Sequence, residues 1–185
     1  MTQSVTLDPR VTALGPVGQL AFVPADFDAA LQFWTQVMGA GPFYLMEHIR
    51  ADSTRYRGEP TEIDFSAAIG YWGEMQIELI RQHCDTPSIY NRERPAGDNP
   101  LHHVLIAVAD MAAALRVCEQ AGGELLQEAT FRGGNAKVAY LRMGGSHGLM
   151  LELWQGDDAG RAFFNGIRDA ARGWDGSRPL RRPGE

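Results

Sequence analysis

The sequence predicts an α+β fold in which two tandem βαβββ modules form a half-barrel around a shared cavity, followed by a C-terminal helix. The first observation is an internal repeat: a shift of 84 positions places Ala25-Asp26 on Ala109-Asp110 and Ala29-Ala30-Leu31 on Ala113-Ala114-Leu115. The second is that each copy has a strand-like run, a helix and three more strand-like runs in the same order. Such a repeat indicates two copies of one unit that bury a common core. The predicted boundaries are an N-terminal extension (1–16), a first module (17–86), a linker (87–100), a second module (101–155), and a C-terminal helix and tail (156–185).

The first module begins with an apolar strand over 17–23, which Pro24 ends because proline cannot donate a hydrogen bond to a sheet. Asp26 is suited to cap the helix that follows, whose apolar residues recur at helical spacing until the glycine and proline residues at 39–42. The remaining elements are predicted as a strand over 43–49, a polar loop over 50–62, and a hairpin of strands 64–71 and 74–80.

The second module repeats this order. A strand over 101–108 precedes a helix over 110–121, which Gly122-Gly123 ends, and the three remaining strands are predicted at 125–131, 136–143 and 149–154. The second copy is ten residues shorter between its helix and its closing strand, so the extra length of the first module falls in its loop over 50–62. An amphipathic helix is then predicted over 158–172.

Composition excludes several classes of protein. The chain has 185 residues, 44% of them hydrophobic and 22% charged, which is typical of a globular protein. A net charge of −6 argues against a nucleic-acid or anionic-membrane partner, and no apolar run reaches the length of about 18 residues that a transmembrane helix requires. Cys84 and Cys118 lack metal-type or redox-type spacing, which favours reduced thiols in a cytoplasmic protein.

Four polar residues recur in register across the repeat. Gln19 and His103 occupy equivalent positions seven residues before an aspartate, and Glu78 and Glu152 each lie within an apolar closing strand. Alternation along the strands allows all four to point into one cavity, where a single metal ion could collect them. Taken singly, each glutamate could instead face water and each histidine could be a structural hydrogen-bonding group. His102 is the alternative to His103, but only His103 matches Gln19 in register. His48, His83 and His147 have no such match and are left out of the predicted site.

The repeated pattern resembles the vicinal oxygen chelate superfamily, which includes glyoxalase I, methylmalonyl-CoA epimerase, extradiol dioxygenases and bleomycin-resistance proteins. The resemblance depends on the helix start at 26–31, the strand Leu101-His102-His103 and the two acid-bearing closing strands, and it covers roughly residues 17–155. The segments at 39–43 and 76–80 are most similar to the epimerase-like branch.

The resemblance implies a divalent metal bound by Gln19, Glu78, His103 and Glu152, since the same order of residue types binds zinc in eukaryotic-type glyoxalase I. This donor set suits Zn²⁺, Co²⁺, Ni²⁺, Mn²⁺ or Mg²⁺. The resemblance also implies a reaction that removes a proton next to a carbonyl, as in an isomerase, epimerase or lyase. Glu152 is then the preferred base and Glu78 the second candidate. Val23 stands where glyoxalase I has a glutathione-binding arginine, which argues against glutathione as the substrate. Gln19 replaces a ligand histidine of the extradiol dioxygenases, which makes ring cleavage the less favoured reaction.

The expected substrate is a small molecule with a bulky apolar part or a CoA thioester. Its predicted contacts are Phe43, Tyr44, Trp72 and Tyr140, with Arg57 as the group that would bind an anion. The alternative function is non-catalytic binding of a small molecule, as in bleomycin-resistance proteins. A homodimer is expected, as in similar proteins, with the apolar C-terminal helix packed on its own module or on the partner. The loop over 50–62 and this helix are both expected to close the cavity.

Overall fold

The computed structural model describes residues 10–93, 101–144 and 149–184. Part of the predicted N-terminal extension and linker, and His147, lie outside these residues. The elements up to the linker are β1 (Gln19–Phe22), α1 (Phe27–Gln32), β2 (Phe43–Ile49), β3 (Ser53–Tyr56), β4 (Glu59–Pro60), β5 (Phe65–Trp72), β6 (Met75–Gln82) and α2 (Ile89–Arg92). They are followed by β7 (Leu101–Ala107), α3 (Met111–Gln120), β8 (Glu124–Phe131), β9 (Ala136–Arg142), β10 (Met150–Gln155), α4 (Asp158–Ala171) and β11 (Leu180–Arg181).

The described strands form one curled sheet in the order β11-β2-β5-β6-β1-β7-β10-β9-β8-β3-β4. The two modules meet where the opening strands β1 and β7 pair in antiparallel fashion, with Gln19 opposite Leu105 and Ala21 opposite His103. Leu105 is the repeat counterpart of Ala21, and His103 is that of Gln19, so this pairing is symmetric under the repeat. The predicted α+β fold of two βαβββ modules and a C-terminal helix is confirmed.

Alternation along the strands separates the convex face of the sheet from the concave face. On the convex side, Phe27 and Trp34 of the first module pack on Ile77 and Leu79. In the second module, α3 packs in the same way on a set that includes Val104, Ile106, Leu151 and Leu153. The neighbours of these residues, Glu78 and Glu152 among them, therefore point to the concave side. Both helices begin as expected, because the carboxylates of Asp26 and Asp110 accept hydrogen bonds from the amides of Ala29 and Ala113.

The prediction of a loop over 50–62 was wrong. This segment contains the hairpin β3–β4, and β3 crosses to the second module and pairs with the edge strand β8, with Arg55 opposite Glu128. Arg57 and Gly58 form the turn with φ of 50° and 84°, the backbone that a two-residue hairpin requires. A polar strand such as 53–56 lacks an apolar pattern, and it is stabilised here by the free backbone groups of β8.

The C-terminal segment packs on its own chain. Ile167 of α4 is buried, and Phe164 packs edge-on against Trp154 of β10 at a ring distance of 5.2 Å. Beyond this helix, β11 pairs with β2. None of the helices in the described ranges has the length and apolar character needed to cross a bilayer.

Candidate metal centre and substrate cavity

The sheet register brings the two predicted acids to equivalent places. In the first module Glu78 of β6 lies beside Ala21 of β1, and in the second module Glu152 of β10 lies beside Leu105 of β7. Ala21 and Leu105 are repeat counterparts, so each acid occupies the same position relative to its opening strand. Residues paired across a sheet share a face, and both acids therefore face the concave side next to His103.

The side chains of Glu78, His103 and Glu152 converge. His103 Nε2 lies 2.9 Å from Glu152 Oε2 and 3.7 Å from Glu78 Oε2. One ligand atom from each residue lies within 4.8 Å of the other two. All three are deeply placed, since His103 is fully buried and the side chains of Glu78 and Glu152 are 13% and 6% exposed.

His102 fixes the protonation of His103 through a short hydrogen-bond chain. His102 Nε2 lies 2.9 Å from the carbonyl oxygen of Ile89, and His102 Nδ1 lies 2.9 Å from His103 Nδ1. A carbonyl can only accept, so the proton of neutral His102 sits on Nε2 and its Nδ1 accepts from His103 Nδ1–H. His103 Nε2 is then a bare lone pair, and it is a buried atom without a hydrogen-bond partner. An outer partner of this kind orients metal-binding histidines.

Gln19 adds a fourth potential ligand atom, an amide oxygen, to the same wall. Its Nε2 donates to Gln76 Oε1 at 2.5 Å, and Gln76 in turn donates to the Tyr71 hydroxyl at 2.9 Å. These bonds fix the amide so that its nitrogen faces Gln76, and Gln19 Oε1 is left buried without a hydrogen-bond partner. An orphaned buried acceptor costs about 1–3 kcal/mol unless another group satisfies it.

Burial shifts the ionisable groups toward their neutral forms. It raises the pKa of Glu152 to about 8, while hydrogen bonding by the neighbouring Tyr140 hydroxyl acts in the opposite direction. Burial, with the charge of Glu152 added, raises the pKa of Glu78 well above its usual value. Burial lowers the pKa of His103 to about 3. A cation bound between these groups would favour the deprotonated acids, as bound cations do in other sites.

The donor set fits a divalent cation. Two carboxylates, one imidazole lone pair and one amide oxygen suit Zn²⁺, Co²⁺, Ni²⁺, Mn²⁺ and Mg²⁺. Ligand atoms that surround an octahedral cation at about 2.1 Å lie about 3.0 Å apart, and the His103–Glu152 separation of 2.9 Å is close to this value. The orphaned Gln19 Oε1 and His103 Nε2 are the atoms that such an ion would satisfy.

A mainly apolar cavity of about 330 Å³ adjoins the four residues. Gln19, Glu78 and Glu152 lie in its wall together with Tyr90 and Tyr140, whose hydroxyls are 3.1 Å apart. Burial raises the pKa of both tyrosines well above the usual value, so both hydroxyls stay protonated. The apolar part of the wall consists of Met46, Ile49, Phe65, Ala67, Ile69, Leu105, Phe131, Ala136, Val138, Trp154, Phe163 and Phe164.

The predicted substrate contacts are dispersed. Tyr140 lines the cavity, but Phe43 is fully buried on the convex side, where it packs directly under Gly70. Trp72 is 49% exposed and lies near Trp34, away from the cavity wall. Tyr44 shares the concave face of its strand with Met46 but is not part of the lining.

Arg57 likewise lies outside the cavity wall. Its guanidinium bonds to Glu93 at 2.6 Å, and Glu93 also accepts from the Tyr56 hydroxyl and pairs with Arg142. The predicted anion-binding group therefore joins the β3–β4 hairpin to α2 and β9. The segment 50–62 is not part of the cavity wall, and its expected role in closing the cavity stays a prediction, whereas α4 contributes Phe163 and Phe164 to the wall.

Two further residues contribute to the site in ways that the sequence did not indicate. His102 enters there only as the alternative ligand to His103, and Gln76 has no predicted role. The sequence signal for His102 is its position beside His103, and that for Gln76 is its place on the same face of its strand as Glu78. Arg132 also reaches the cavity wall, where it pairs with Asp157 at 3.2 Å.

Comparison with known proteins agrees with this architecture. No curated protein matches the chain. The methylmalonyl-CoA epimerase of Mycobacterium tuberculosis is 16% identical with a TM-score of 0.51, over 79% of this chain and 91% of that one. A variant of the Streptomyces coelicolor methylmalonyl-CoA epimerase, in complex with 2-nitronate-propionyl-CoA, is 15% identical with a TM-score of 0.50, over 78% and 96%. At such identities the likeness concerns the fold. The family model described as Glyoxalase/Bleomycin resistance protein/Dioxygenase superfamily matches residues 18–140, and this chain belongs to that superfamily.

Proposed function

We propose that this chain is a divalent-metal-dependent isomerase, epimerase or lyase that removes a proton next to a carbonyl group. The observation that carries the proposal is the convergence of Glu78, His103 and Glu152 at the wall of an apolar cavity, with two orphaned ligand atoms. A divalent ion held there, together with Gln19, would supply electrophilic stabilisation of negative charge on a substrate oxygen.

Glu152 is the proposed base. Without a metal, burial raises the pKa of this carboxyl group to about 8. A bound cation would favour its carboxylate form, which can accept a carbon-bound proton and release it again. Tyr140, its partner across the β9–β10 pair, holds this carboxyl group in place. Glu78 lies further from His103 and is the second candidate for the same role.

The cavity wall determines the shape of the proposed substrate. Aromatic and aliphatic side chains cover most of it, so an apolar acyl or aryl group fits here with its carbonyl directed at Glu152. Arg132, the cation of the described wall, is already paired with Asp157. These features favour a substrate with an apolar body over one that depends on several anionic groups. Exclusion of water by the apolar wall would protect the developing charge.

Deuterium exchange with a panel of carbonyl compounds tests the proposal. Aryl ketones and 2-methylacyl-CoA thioesters, methylmalonyl-CoA included, would be incubated in D₂O with protein loaded with Zn²⁺, Co²⁺, Ni²⁺, Mn²⁺ or Mg²⁺. NMR or mass spectrometry would detect deuterium at the carbon next to the carbonyl. We expect incorporation with at least one metal, loss after chelation, and a decrease of about 10²–10⁴-fold in Glu152→Gln, the usual contribution of a positioned base.

The matched control is Glu128→Gln, which makes the same chemical change at an exposed glutamate of β8. It should exchange deuterium at the wild-type rate. Exchange that persists in Glu152→Gln but is lost in Glu78→Gln would move the role of base to Glu78. No exchange with any compound or metal would refute catalysis of this type.

A binding function is the second candidate, and the apolar lining of the cavity favours it. Fluorescence titration with a flat apolar dye would distinguish the two. If affinity survives alanine substitution of Glu78, His103 and Glu152 while no turnover is detected, the chain is a binder. The homodimer and the cytoplasmic location expected from the sequence stay predictions, and sedimentation analysis tests the first.

A further inference from the structure

We propose a second metal site, on the outer surface of the first module, formed by His48, Asp64 and His83. It takes a divalent transition-metal ion and is independent of the function proposed for the cavity. One ligand atom from each of the three residues lies within 4.8 Å of the other two. Two imidazoles and one carboxylate favour Zn²⁺, Cu²⁺, Ni²⁺ or Co²⁺ over Mg²⁺ or Ca²⁺.

Three separate segments supply the ligands. His48 lies near the end of β2, Asp64 directly precedes β5, and His83 directly follows β6. His48 Nδ1 is 3.0 Å from Asp64 Oδ1 and 3.1 Å from Oδ2, and the rings of His48 and His83 are 4.7 Å apart. The His48–Asp64 separation matches the spacing of about 3 Å between neighbouring ligands of one ion, and the His83 ring lies close enough to supply the third ligand atom.

The backbone at His48 has an unusual conformation that serves this cluster. Its φ is 52°, in the left-handed region, where few residues other than glycine lie. The pairing of β2 with β5 shifts register between Met46 and Ile49, which identifies a bulge around His48. Bulges re-aim side chains, and strained residues persist where their surroundings require them. At His48 the result is an imidazole that faces Asp64.

Ser66 contacts the backbone of His48 and the ring of His83 from behind. Its Oγ accepts a hydrogen bond from the His48 amide at 3.2 Å and lies 2.7 Å from His83 Nε2. A hydroxyl that contacts one ring nitrogen fixes the orientation of the ring and leaves the other nitrogen for a ligand role. Ser66 is 2% exposed, so this support is held rigidly inside the fold.

Arg50 is the neighbour that opposes metal binding. Its Nη2 lies 3.4 Å from Asp64 Oδ2, and its side chain is 70% exposed. An exposed guanidinium is displaced at little cost, but its charge repels an incoming cation. Removing this charge should therefore strengthen metal binding, whereas neutralising Asp64 should weaken it. A purely structural ion pair would not give these opposite effects on metal affinity.

The site lies directly behind the cavity wall. Ile49 and Phe65, the sequence neighbours of His48 and Asp64, both line the cavity. A metal on the outer face would therefore hold β2, β5 and β6 together at the end of the wall that contacts the proposed substrate. Its effect on the cavity would be to reduce motion of this wall rather than to take part in chemistry.

Native mass spectrometry and calorimetric titration of the full chain with Zn²⁺ test the proposal. We expect His48→Asn/His83→Gln to bind one equivalent fewer than the wild type; asparagine tolerates a left-handed φ, so the bulge is kept. His103→Gln/Glu152→Gln should leave the surface site intact, so failure of the central site and failure of this one give different results. Arg50→Gln should raise affinity at the surface site about two- to fivefold, the usual size of an exposed charge interaction.

Glu47→Gln is the matched control, since Glu47 lies beside His48 on β2 and pairs instead with Arg182 at 3.0 Å. It should bind as many equivalents as the wild type, with unchanged affinity. Equal stoichiometry and affinity in the wild type and in His48→Asn/His83→Gln would overturn the proposal. An increase in affinity in Asp64→Asn, or a decrease in Arg50→Gln, would do the same.

Discussion

His102 should control metal affinity at the central site although it is not itself expected to be a ligand. Its Nδ1 accepts a hydrogen bond from His103 Nδ1–H, and this holds the lone pair of His103 Nε2 toward Glu152. In His102→Leu that acceptor is lost, so the proton of His103 moves to Nε2, where a carboxylate can accept it. A metal must then displace this proton. Loss of such outer partners weakens metal binding about 10- to 100-fold.

The same substitution, His102→Leu, should lower the free energy of unfolding only modestly. The Ile89 carbonyl keeps the hydrogen bond from the Glu93 amide at 3.1 Å, so only the environment of His103 changes. One buried group without its partner costs about 1–3 kcal/mol, and a shift of the His103 proton to Nε2 reduces this. The metal-free variant should therefore fold and melt at a slightly lower temperature.

Competition with a chromophoric chelator, using Zn²⁺ and Co²⁺ at pH 7.5, measures the affinity. His102→Gln is the control because its amide can both donate to Ile89 and accept from His103, and it should bind within a few-fold of the wild type. The reasoning is refuted if His102→Leu binds metal as tightly as the wild type. It is also refuted if His102→Gln loses as much affinity as His102→Leu.

Three further predictions concern the same site and its cover. Gln19→His should retain metal and shift preference toward Ni²⁺ and Zn²⁺, while Gln19→Leu should weaken binding without abolishing it. Titration with Ni²⁺ and Mg²⁺ measures both effects, and an unchanged preference in Gln19→His or an unchanged affinity in Gln19→Leu would contradict them. Unfolded His103 is already neutral above its ordinary pKa of 6.5, and burial raises the pKa of Glu152 to about 8. The metal-free folded chain thus binds more protons than the unfolded chain, and its stability should fall between pH 6.5 and 8. Saturating Zn²⁺ should reverse that fall, because only deprotonated ligands bind metal. Denaturant titrations with and without EDTA measure the free energy of unfolding, and a value that does not change between pH 6.5 and 8 in the metal-free protein would contradict the prediction. Deleting 156–185 removes Phe164 from the cavity wall and should lower the melting temperature and the solubility, and a truncated chain of unchanged stability and light scattering would contradict this.

The central site could be predicted from the sequence because it depends on periodicity. A repeat offset and the two-residue period of a strand are both readable along the chain, so the common face of His103, Glu78 and Glu152 follows once the two modules are paired. The start of both helices at an aspartate was predictable for a different reason, because each aspartate caps an amide only three residues further along the chain.

The substrate contacts could not be assigned in this way. Phe43 and Tyr44 are adjacent and both aromatic, so they lie on opposite faces of β2. Only the packing of β2 in the folded sheet determines which of the two faces the cavity. Phe43 proved to be convex and fully buried. The cavity wall also takes Phe163 and Phe164 from a helix that follows both modules. No local pattern indicates where such a helix docks.

The two-module fold and the register of its repeated polar residues could be predicted before the structure was known, because both are encoded in regular spacing along the chain. Only the tertiary structure placed β3 against β8, aligned His102 behind His103, and brought His48, Asp64 and His83 together. These arrangements depend on backbone hydrogen bonds between distant segments and on a left-handed residue at a bulge. These contacts are stabilised by residues that are distant in the sequence, and for that reason no periodic pattern predicts them.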